Sequence, residues 1–314
     1  MIIMDTCINP KKTNKKKDSD GVHKFLEDMV PFFYGRSLTY VDVGAFKGEV
    51  FLEIIKSQLA VQEVHLFEPN PLSFEMLNQS INSDIKLRSL NLYNAAVSSS
   101  PGQLRMKAAK SMTKVIEEVE PHVNNDESRI NEDSSFVVKC VTLDQISEKF
   151  TENHVDILKI DVEGFEPDVL KGAEELLSKQ KIDVIYIEAG ANPEGVQQSY
   201  HRVIDDLLKE KGYRLFRIYE QKHEWKADSP ILRRMNLAYF SMRFADSNPY
   251  KLTNEIYDLK RKNLELSAEL ESCKSEIKKY NNDINRIKST SIWKVIVLIK
   301  KSKKLVYRLF NLNQ

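Results

Sequence analysis

A short loop after an apolar stretch combines an acid and two glycines in a pattern suited to ligand binding. The residues run Asp42-Val43-Gly44-Ala45-Phe46-Lys47-Gly48, and a helical pattern follows them. A strand, a glycine turn and a helix N-terminus together offer free backbone N–H groups and let a ligand approach the main chain. The spacing GxxxG, rather than GxGxxG, disfavours a nicotinamide dinucleotide. Asp42 favours a ligand with positive charge near the loop, such as a sulfonium with an amino-acid tail; a purely structural turn is the alternative.

A second acid, Glu68, follows the next apolar run, in Phe67-Glu68-Pro69-Asn70-Pro71. A carboxylate at the tip of the second strand of a doubly wound fold can accept hydrogen bonds from both hydroxyls of a ribose. The two prolines end the strand and begin the next helix. An N-capping role for Glu68 is the alternative.

Two further acids, Asp161 and Glu163, follow a third apolar run, 157–160. Ligands of open parallel sheets bind at the carboxyl ends of the strands, so both acids are candidate catalytic groups. Asp161 is the first candidate for a general base or an acceptor-orienting group, and Glu163 is the second. A structural pairing with Lys159 is the alternative, because an ammonium inside an apolar run needs a carboxylate partner.

The same acids raise the question of a metal. Asp161, Glu163 and Glu188 offer carboxylate oxygens, which hard divalent cations prefer. An Asp-x-Glu pair often occurs by chance, so we assign no metal site from the sequence. His201 and His223 follow predicted strands and are weaker candidates for the base.

These residues lie among alternating strand and helix patterns between residues 38 and 245, which are typical of parallel βαβ units. The predicted strands are Tyr40–Val43, Val64–Phe67, Leu90–Val97, Ile157–Ile160, Val184–Ile187, Arg214–Ile218 and Leu237–Met242. The predicted helices are Val50–Gln58, Pro71–Ser80, Pro167–Ser178 and His201–Lys211. The stretch 114–134 is acidic and too polar for a core layer, so we predict an exposed insertion or a lid.

Taken together, the motifs resemble the FkbM family of S-adenosylmethionine-dependent methyltransferases. The matching segments are Val41-Asp42-Val43-Gly44-Ala45, Phe67-Glu68-Pro69-Asn70-Pro71, Asn94-Ala95-Ala96-Val97-Ser98, Thr142-Leu143-Asp144, Lys159-Ile160-Asp161-Val162-Glu163-Gly164, Leu170-Lys171-Gly172-Ala173 and Ile187-Glu188. The resemblance implies a class I methyltransferase fold, an α/β structure with a doubly wound, mostly parallel seven-stranded sheet. It also implies O-methylation, often of sugars in glycans or glycosylated natural products.

The resemblance further implies a set of residues around S-adenosylmethionine. Glu68 would bind the ribose, and Asn94 or Ala95 would lie near the adenine. The cofactor-binding set is Asp42, Gly44, Ala45, Gly48, Glu68 and Asn94. Methyl transfer also needs an in-line approach of the acceptor hydroxyl and a base within reach of its proton.

The overall composition excludes several classes of protein. Lys and Arg total 47 against 46 Asp and Glu, so the net charge of +1 argues against a uniformly basic nucleic-acid binder. No apolar run approaches the length needed to span a bilayer. The cysteines show no CxxC spacing, which fits a reducing, cytoplasmic location and argues against a disulfide framework. They are Cys7, Cys140 and Cys273.

The last 65 residues contain neither Gly nor Pro, and this predicts long helices. Apolar residues spaced alternately by three and four form a coiled-coil seam from Ile256 to Ile287, with Asn263 at one a position. We predict a homodimer through this seam; one helix packed on its own domain is the alternative. Residues 289–314 are basic and amphipathic, and they predict attachment to the inner face of a membrane or contact with a glycosyltransferase.

The predicted organisation is a disordered lysine-rich tail (1–20), a methyltransferase domain (21–248), a coiled coil (250–288) and a basic amphipathic helix (289–314). The predicted function is O-methylation of a hydroxyl, with a sugar of a surface glycan or glycosylated metabolite as acceptor. A non-catalytic scaffold for glycan-assembly enzymes and an NAD-dependent oxidoreductase are the alternatives.

Overall fold

The computed structural model describes residues 21–81, 85–109, 112–118, 135–195, 197–224, 229–247 and 250–311. It divides the chain into two compact units, one ending at residue 253 and one beginning at residue 254. The predicted lysine-rich tail, 1–20, lies outside the described residues, as do residues 119–134 of the predicted insertion.

The described residues form strands and helices in alternation. The strands are β1 (Leu38–Val43), β2 (Val61–Phe67), β3 (Ser89–Tyr93), β4 (Ala96–Val97), β5 (Gly102–Ala109), β6 (Met112–Glu118), β7 (Ser135–Val141), β8 (Val155–Ile160), β9 (Ile182–Gly190), β10 (Tyr213–His223) and β11 (Leu232–Ser241). The helices are α1 (Val22–Phe33), α2 (Glu49–Lys56), α3 (Pro71–Ser80), α4 (Leu143–Ile146), α5 (Glu166–Lys171), α6 (Glu174–Ser178), α7 (His201–Glu210), α8 (Met242–Ser247), α9 (Tyr250–Ser289) and α10 (Ser291–Asn311).

Seven strands form the main sheet, in the order β10-β11-β9-β8-β1-β2-β3. The five strands from β9 to β3 are parallel, and β11 is antiparallel to both of its neighbours. Every residue of β1, β8 and β9 is buried, as expected for parallel strands covered on both faces. The predicted fold class, a doubly wound and mostly parallel seven-stranded sheet, is confirmed.

A second, four-stranded sheet in the order β4-β7-β5-β6 was not predicted. The prediction of one strand over Leu90–Val97 is wrong, because Asn94 and Ala95 separate β3 in the main sheet from β4 in the second. Part of the predicted insertion is the strand β6. Alternate side chains of the second sheet form a small core of their own: Ala96, Leu104, Met106, Phe136, Val138 and Cys140.

Two helical segments also differ from prediction. The predicted helix Pro167–Ser178 is the pair α5 and α6, interrupted at Gly172, where a Cβ would lie 2.0 Å from the Ser98 carbonyl oxygen. The helix α1 was missed, although its apolar residues recur at helical spacing. They are Phe25, Leu26, Met29, Val30, Phe32 and Phe33.

The second unit consists of most of α9 and all of α10. Within the described residues, no helix has both the length and the apolar character needed to cross a bilayer. The seam side chains of α9 are exposed, among them Leu259, Leu266 and Ile277.

Candidate active site

Three strands end side by side at the carboxyl edge of the main sheet. The strand order reverses between β1 and β8, since the chain runs outward through β2 and β3 before it returns to β8. Val43 pairs with Phe67 on one side and with Ile160 on the other. Gly44, which follows Val43, therefore lies beside the residues that follow β2 and β8. Open α/β sheets bind their ligands at such a reversal.

A cavity opens at this edge, with about 880 Å³ of empty space that is partly open to solvent. Gly44, Glu68, Asp161 and Glu163 supply its polar wall. The apolar wall of the cavity is formed by side chains of β5 and of the turn after β8. These are Leu104, Met106 and Phe165.

The glycine loop approaches the end of β8 very closely. Gly44 has φ +83°, and a Cβ there would lie 1.9 Å from the carbonyl oxygen of Asp161. Phe46, with φ +50°, points its N–H at Glu68 Oε2 at 2.8 Å. Only glycine fits at position 44, because any side chain would collide with the neighbouring backbone.

Glu68 is a buried carboxylate on the cavity wall, 5% exposed. Its Oε1 accepts a hydrogen bond from the N–H of Asn70 at 2.8 Å, and its Oε2 accepts one from Phe46. Burial raises the pKa of Glu68 to about 7, although these two N–H donors act in the opposite direction. Each oxygen keeps a second lone pair, so the side chain can still accept hydrogen bonds from a ligand.

Asp42 lies inside the sheet rather than on the cavity wall. Lys159 Nζ is 3.0 Å from its Oδ1, and the Tyr40 hydroxyl donates to its Oδ2 at 2.8 Å. The predicted carboxylate partner of Lys159 is thereby confirmed. Burial acts to lower the pKa of Lys159, but the attraction of Asp42 and Asp161 outweighs it and the pKa is raised. The charge of Asp42 is therefore already paired, and the residue does not line the cavity.

The two candidate catalytic residues line the cavity together. The Asp161 side chain is 39% exposed, and its Oδ2 lies 3.7 Å from Lys159 Nζ. Glu163 has φ +53°, and its Oε2 accepts a hydrogen bond from Gln198 Nε2 at 3.1 Å. Asp161 is thus open to an acceptor, whereas Glu163 is held in place by a loop that the sequence did not single out.

The remaining members of the predicted cofactor set do not line the cavity. Ala45 is buried, and Gly48 caps α2 with φ +83°, where a Cβ would lie 2.7 Å from Leu77 Cδ1. Asn94 donates from Nδ2 to the carbonyl oxygen of Glu68 at 2.9 Å. These residues shape the loops around the cavity, and their contact with a cofactor stays a prediction. His201 and His223 are also not among the lining residues.

Sequence reasoning missed the apolar wall. Its signal was the alternation of apolar and polar residues in β5, which was hidden beside the acidic stretch 114–134. Gln198 carried no sequence signal, since its contact with Glu163 joins residues 35 positions apart.

Comparison with known proteins settles the family. Residues 42–215, more than half of the chain, match the profile described as the methyltransferase FkbM domain. The chain belongs to the FkbM methyltransferase family. The resemblance noted from the motifs is therefore confirmed, and the matched residues contain Asp42, Gly44, Glu68, Asp161 and Glu163.

Individual relatives of this FkbM-family chain are distant. The hexuronic acid methyltransferase AglP of Haloferax volcanii (strain DS2) is 29% identical over 133 residues, 42% of this chain and 50% of that protein, so the chain spans about half the length of this curated relative. A crystal structure of methyltransferase FkbM from Methylobacillus flagellatus KT is similar with 17% identity, 66% of this chain and 47% of that chain covered, and a TM-score of 0.39. The magnesium protoporphyrin IX methyltransferase of Synechocystis PCC 6803 is 10% identical, with 70% of this chain and 77% of that chain covered and a TM-score of 0.41.

Proposed function

We propose that the protein is an S-adenosylmethionine-dependent O-methyltransferase whose acceptor is a hydroxyl of a sugar in a surface glycan or glycosylated metabolite. The observation that carries the proposal is that Gly44, Glu68 and Asp161 line one cavity in a chain of the FkbM family. The sugar acceptor is supported by the curated relative, which is named a hexuronic acid methyltransferase.

The cavity has the chemistry that S-adenosylmethionine requires. Glu68 offers buried carboxylate oxygens to the hydroxyl donors of a ribose, and Gly44 lets a ligand reach the main chain. The carboxylates of Asp161 and Glu163 attract a cationic ligand, and the apolar wall suits a flat purine ring. When bound, the cofactor supplies an electrophilic methyl group on a sulfonium.

Asp161 is placed to act on the acceptor. Its exposed carboxylate faces the cavity and can accept the proton of a hydroxyl or hold that hydroxyl by a hydrogen bond. Lys159, 3.7 Å away, limits the movement of this side chain by attraction. Glu163, held by Gln198, borders the same space and can orient a second hydroxyl. Holding the acceptor in line with the methyl group supplies much of the rate.

Calorimetry and a transfer assay test the proposal together. We expect the full chain to bind S-adenosylmethionine and to methylate a member of a panel of hexose and hexuronic acid glycosides, detected as a gain of one methyl mass. We expect Glu68→Ala to weaken cofactor binding more than Asp161→Asn does, whereas Asp161→Asn should also lower kcat. Absence of cofactor binding overturns the proposal; binding without turnover on any glycoside favours the scaffold alternative.

We further propose that α9 joins two copies of the chain as a parallel coiled coil. Its seam side chains keep heptad spacing and are exposed, from Ile256 to Ile287. In this pairing Glu269 at a g position can face Lys274 at an e position of the partner copy. Asn263 at an a position favours a single register.

We also propose that α10 attaches the protein to the inner face of an anionic membrane. One face of the helix carries apolar side chains, including Ile292, Val295 and Ile299, all exposed. The other face carries Lys and Arg, and residues 289–314 contain no acid. A basic amphipathic helix of this kind inserts its apolar face among lipid headgroups, and anionic lipids strengthen the binding. If anionic vesicles do not bind α10, we expect a glycosyltransferase to bind this helix instead.

A further inference from the structure

Three carboxylates from separate positions of the chain lie close together beside the cavity, and two of them, Asp161 and Glu163, line it. Asp161 follows β8, Glu163 lies in the next turn, and Glu188 lies within β9. Ile160 pairs with Ile187 in the sheet, so Asp161, directly after β8, lies beside Glu188 of β9. One oxygen from each of the three carboxylates lies within 4.8 Å of the others.

Glu188 supplies a second observation, a buried oxygen that has no hydrogen-bond donor among the described residues. The residue is 3% exposed, and Arg234 of β11 pairs with its Oε1. Its Oε2 is buried and accepts no hydrogen bond from the described residues. A buried carboxylate oxygen without a hydrogen-bond donor costs free energy, so binding of an ion or a water molecule at Oε2 would be favourable.

The nearby ammonium group does not fill this role. Lys159 Nζ lies 2.7 Å from the Gly44 carbonyl oxygen and 3.0 Å from Asp42 Oδ1, but 3.7 Å from Asp161 Oδ2. Its closest contacts are therefore Gly44 and Asp42 rather than the three acids of this cluster.

A second acidic cluster in the described residues makes the contrast clear. Asp156 and Asp183 lie near His154 at the opposite edge of the sheet, and Arg36 donates to both carboxylates, at 3.0 and 3.3 Å. That cluster already holds a cationic side chain between its acids. The cluster of Asp161, Glu163 and Glu188 also has cationic neighbours, Arg234 and Lys159, but one of its buried oxygens, Glu188 Oε2, accepts no hydrogen bond from the described residues.

We propose that Asp161, Glu163 and Glu188 bind a hard divalent cation, Mg²⁺, Mn²⁺ or Ca²⁺. A donor set of three carboxylates suits these ions rather than soft metals. Oxygens that lie within 4.8 Å of one another can bind one such ion, because two oxygens on opposite sides of a Ca²⁺ ion are about 4.6–5.2 Å apart. Three protein oxygens leave coordination positions for water or for hydroxyl groups of an acceptor.

The consequence for catalysis rests on the proposed function, whereas cation binding itself does not. A divalent cation that coordinates a hydroxyl lowers the pKa of that hydroxyl. Asp161 would then orient the acceptor through the cation, and deprotonation would demand less of a base. Vicinal hydroxyls of a sugar match two neighbouring coordination positions.

Titration of the full chain with Mn²⁺ tests the site. The electron paramagnetic resonance signal of free Mn²⁺ measures how much of the ion is bound. We expect one bound Mn²⁺ per chain, displaced by Mg²⁺ or Ca²⁺, and the order of displacement identifies the preferred ion. Removing one of three charged ligands in Glu188→Gln or Asp161→Asn should weaken binding at least about tenfold. The matched control is Asp168→Asn on α5, since Asp168 pairs with Lys171 and should not affect binding.

Three results would overturn the inference: no Mn²⁺ binding at millimolar concentration, unchanged affinity in both ligand variants, or an equal loss in Asp168→Asn. Circular dichroism checks folding, and Asp161→Asn alone carries the test if Glu188→Gln unfolds. Turnover that survives a chelator, together with absent Mn²⁺ binding, rejects the metal and keeps the methyltransferase. Specific Mn²⁺ binding without turnover on any acceptor supports the metal site and counts against the proposed function.

Discussion

Lys159 and Asp42 form a buried ion pair across two neighbouring strands, with Nζ 3.0 Å from Oδ1. The two residues are partners in the register of β1 and β8. The same ammonium group donates a hydrogen bond to the carbonyl oxygen of Gly44 at 2.7 Å. Lys159 thus holds the backbone of Gly44 as well as the side chain of Asp42. The ion pair therefore couples the stability of the sheet to the shape of the cavity.

Replacing this lysine should unfold the protein more easily. Lys159→Met leaves the Asp42 carboxylate buried without its cation, so we expect the free energy of unfolding to fall by about 3–5 kcal/mol. Urea denaturation measures the change. Lys171→Met, at a side chain that is 56% exposed, is the control and should change stability by less than about 0.5 kcal/mol. Similar effects of the two substitutions would contradict the structural role of the pair.

A methyl group at position 44 should be poorly tolerated. Gly44→Ala combines a φ of +83° with a Cβ 1.9 Å from the Asp161 carbonyl oxygen, so we expect a loss of about 3 kcal/mol or more. Cofactor binding should also be lost, because the loop must move away from β8. Gly102→Ala is the control, since nothing lies within 4 Å of its Cβ position. Thermal melting and calorimetry compare the two, and wild-type binding in Gly44→Ala would refute this prediction.

Cofactor affinity should rise with pH through neutrality. The pKa of Glu68 is raised from its usual 4.5 to about 7, chiefly by burial. Ribose hydroxyl donors favour the carboxylate form, so binding releases a proton below pH 7 and tightens as the pH increases. Calorimetry at pH 6, 7 and 8 in buffers of different ionisation enthalpy measures both effects, and Glu68→Gln should abolish them. A pH-independent affinity in the wild type would contradict this assignment.

The same shift predicts a stability effect of opposite sign. Between pH 4.5 and 7 the folded protein holds a proton on Glu68 that the unfolded chain releases. This contribution to the free energy of unfolding is therefore largest at low pH and falls as the pH rises through 7. Urea denaturation of the ligand-free protein across this range should show a shallower decline in Glu68→Gln. An identical pH dependence in the two proteins would argue against the raised pKa.

The oligomeric state should respond to a charge on the seam of α9. Leu270→Lys places a charge at an a position, and we expect light scattering to report a monomer instead of a dimer. Leu264→Lys is a matched control, because Leu264 is also exposed on α9 but lies off the seam. A monomeric wild type, or equal effects of the two substitutions, would remove the proposed coiled coil.

Membrane attachment should depend on the lysines of α10. Each Lys near an anionic surface contributes about 1 kcal/mol, so four Lys→Gln changes at 300, 301, 303 and 304 should abolish flotation with anionic vesicles. The control carries four Lys→Gln changes on α9, at 262, 278, 279 and 288. Failure of the wild type to float, or loss of flotation in the control, would contradict the proposed role of α10.

Much of the main sheet was evident from the sequence. Continuous apolar runs such as Ile157–Ile160 indicate buried parallel strands, and Gly44, Pro69 and Gly164 mark the turns after them. Because the side chains after parallel strands emerge at one edge, the order of the motifs was enough to bring Glu68 and Asp161 to a common crevice and to suggest the family.

Tertiary contacts decided the rest, since they join residues far apart in the chain. The second sheet pairs β4 with β7, about 40 residues later, and no local pattern predicts that pairing. Asp42 is withdrawn from the cavity because its neighbour across the sheet is Lys159. The sequence raised Asp161 and Glu188 as carboxylates that could share a metal, but their proximity follows from the register of β8 and β9, which a sequence motif does not contain. Local periodicity determined which residues end the strands, whereas strand register determined which of them face the ligand and which face one another.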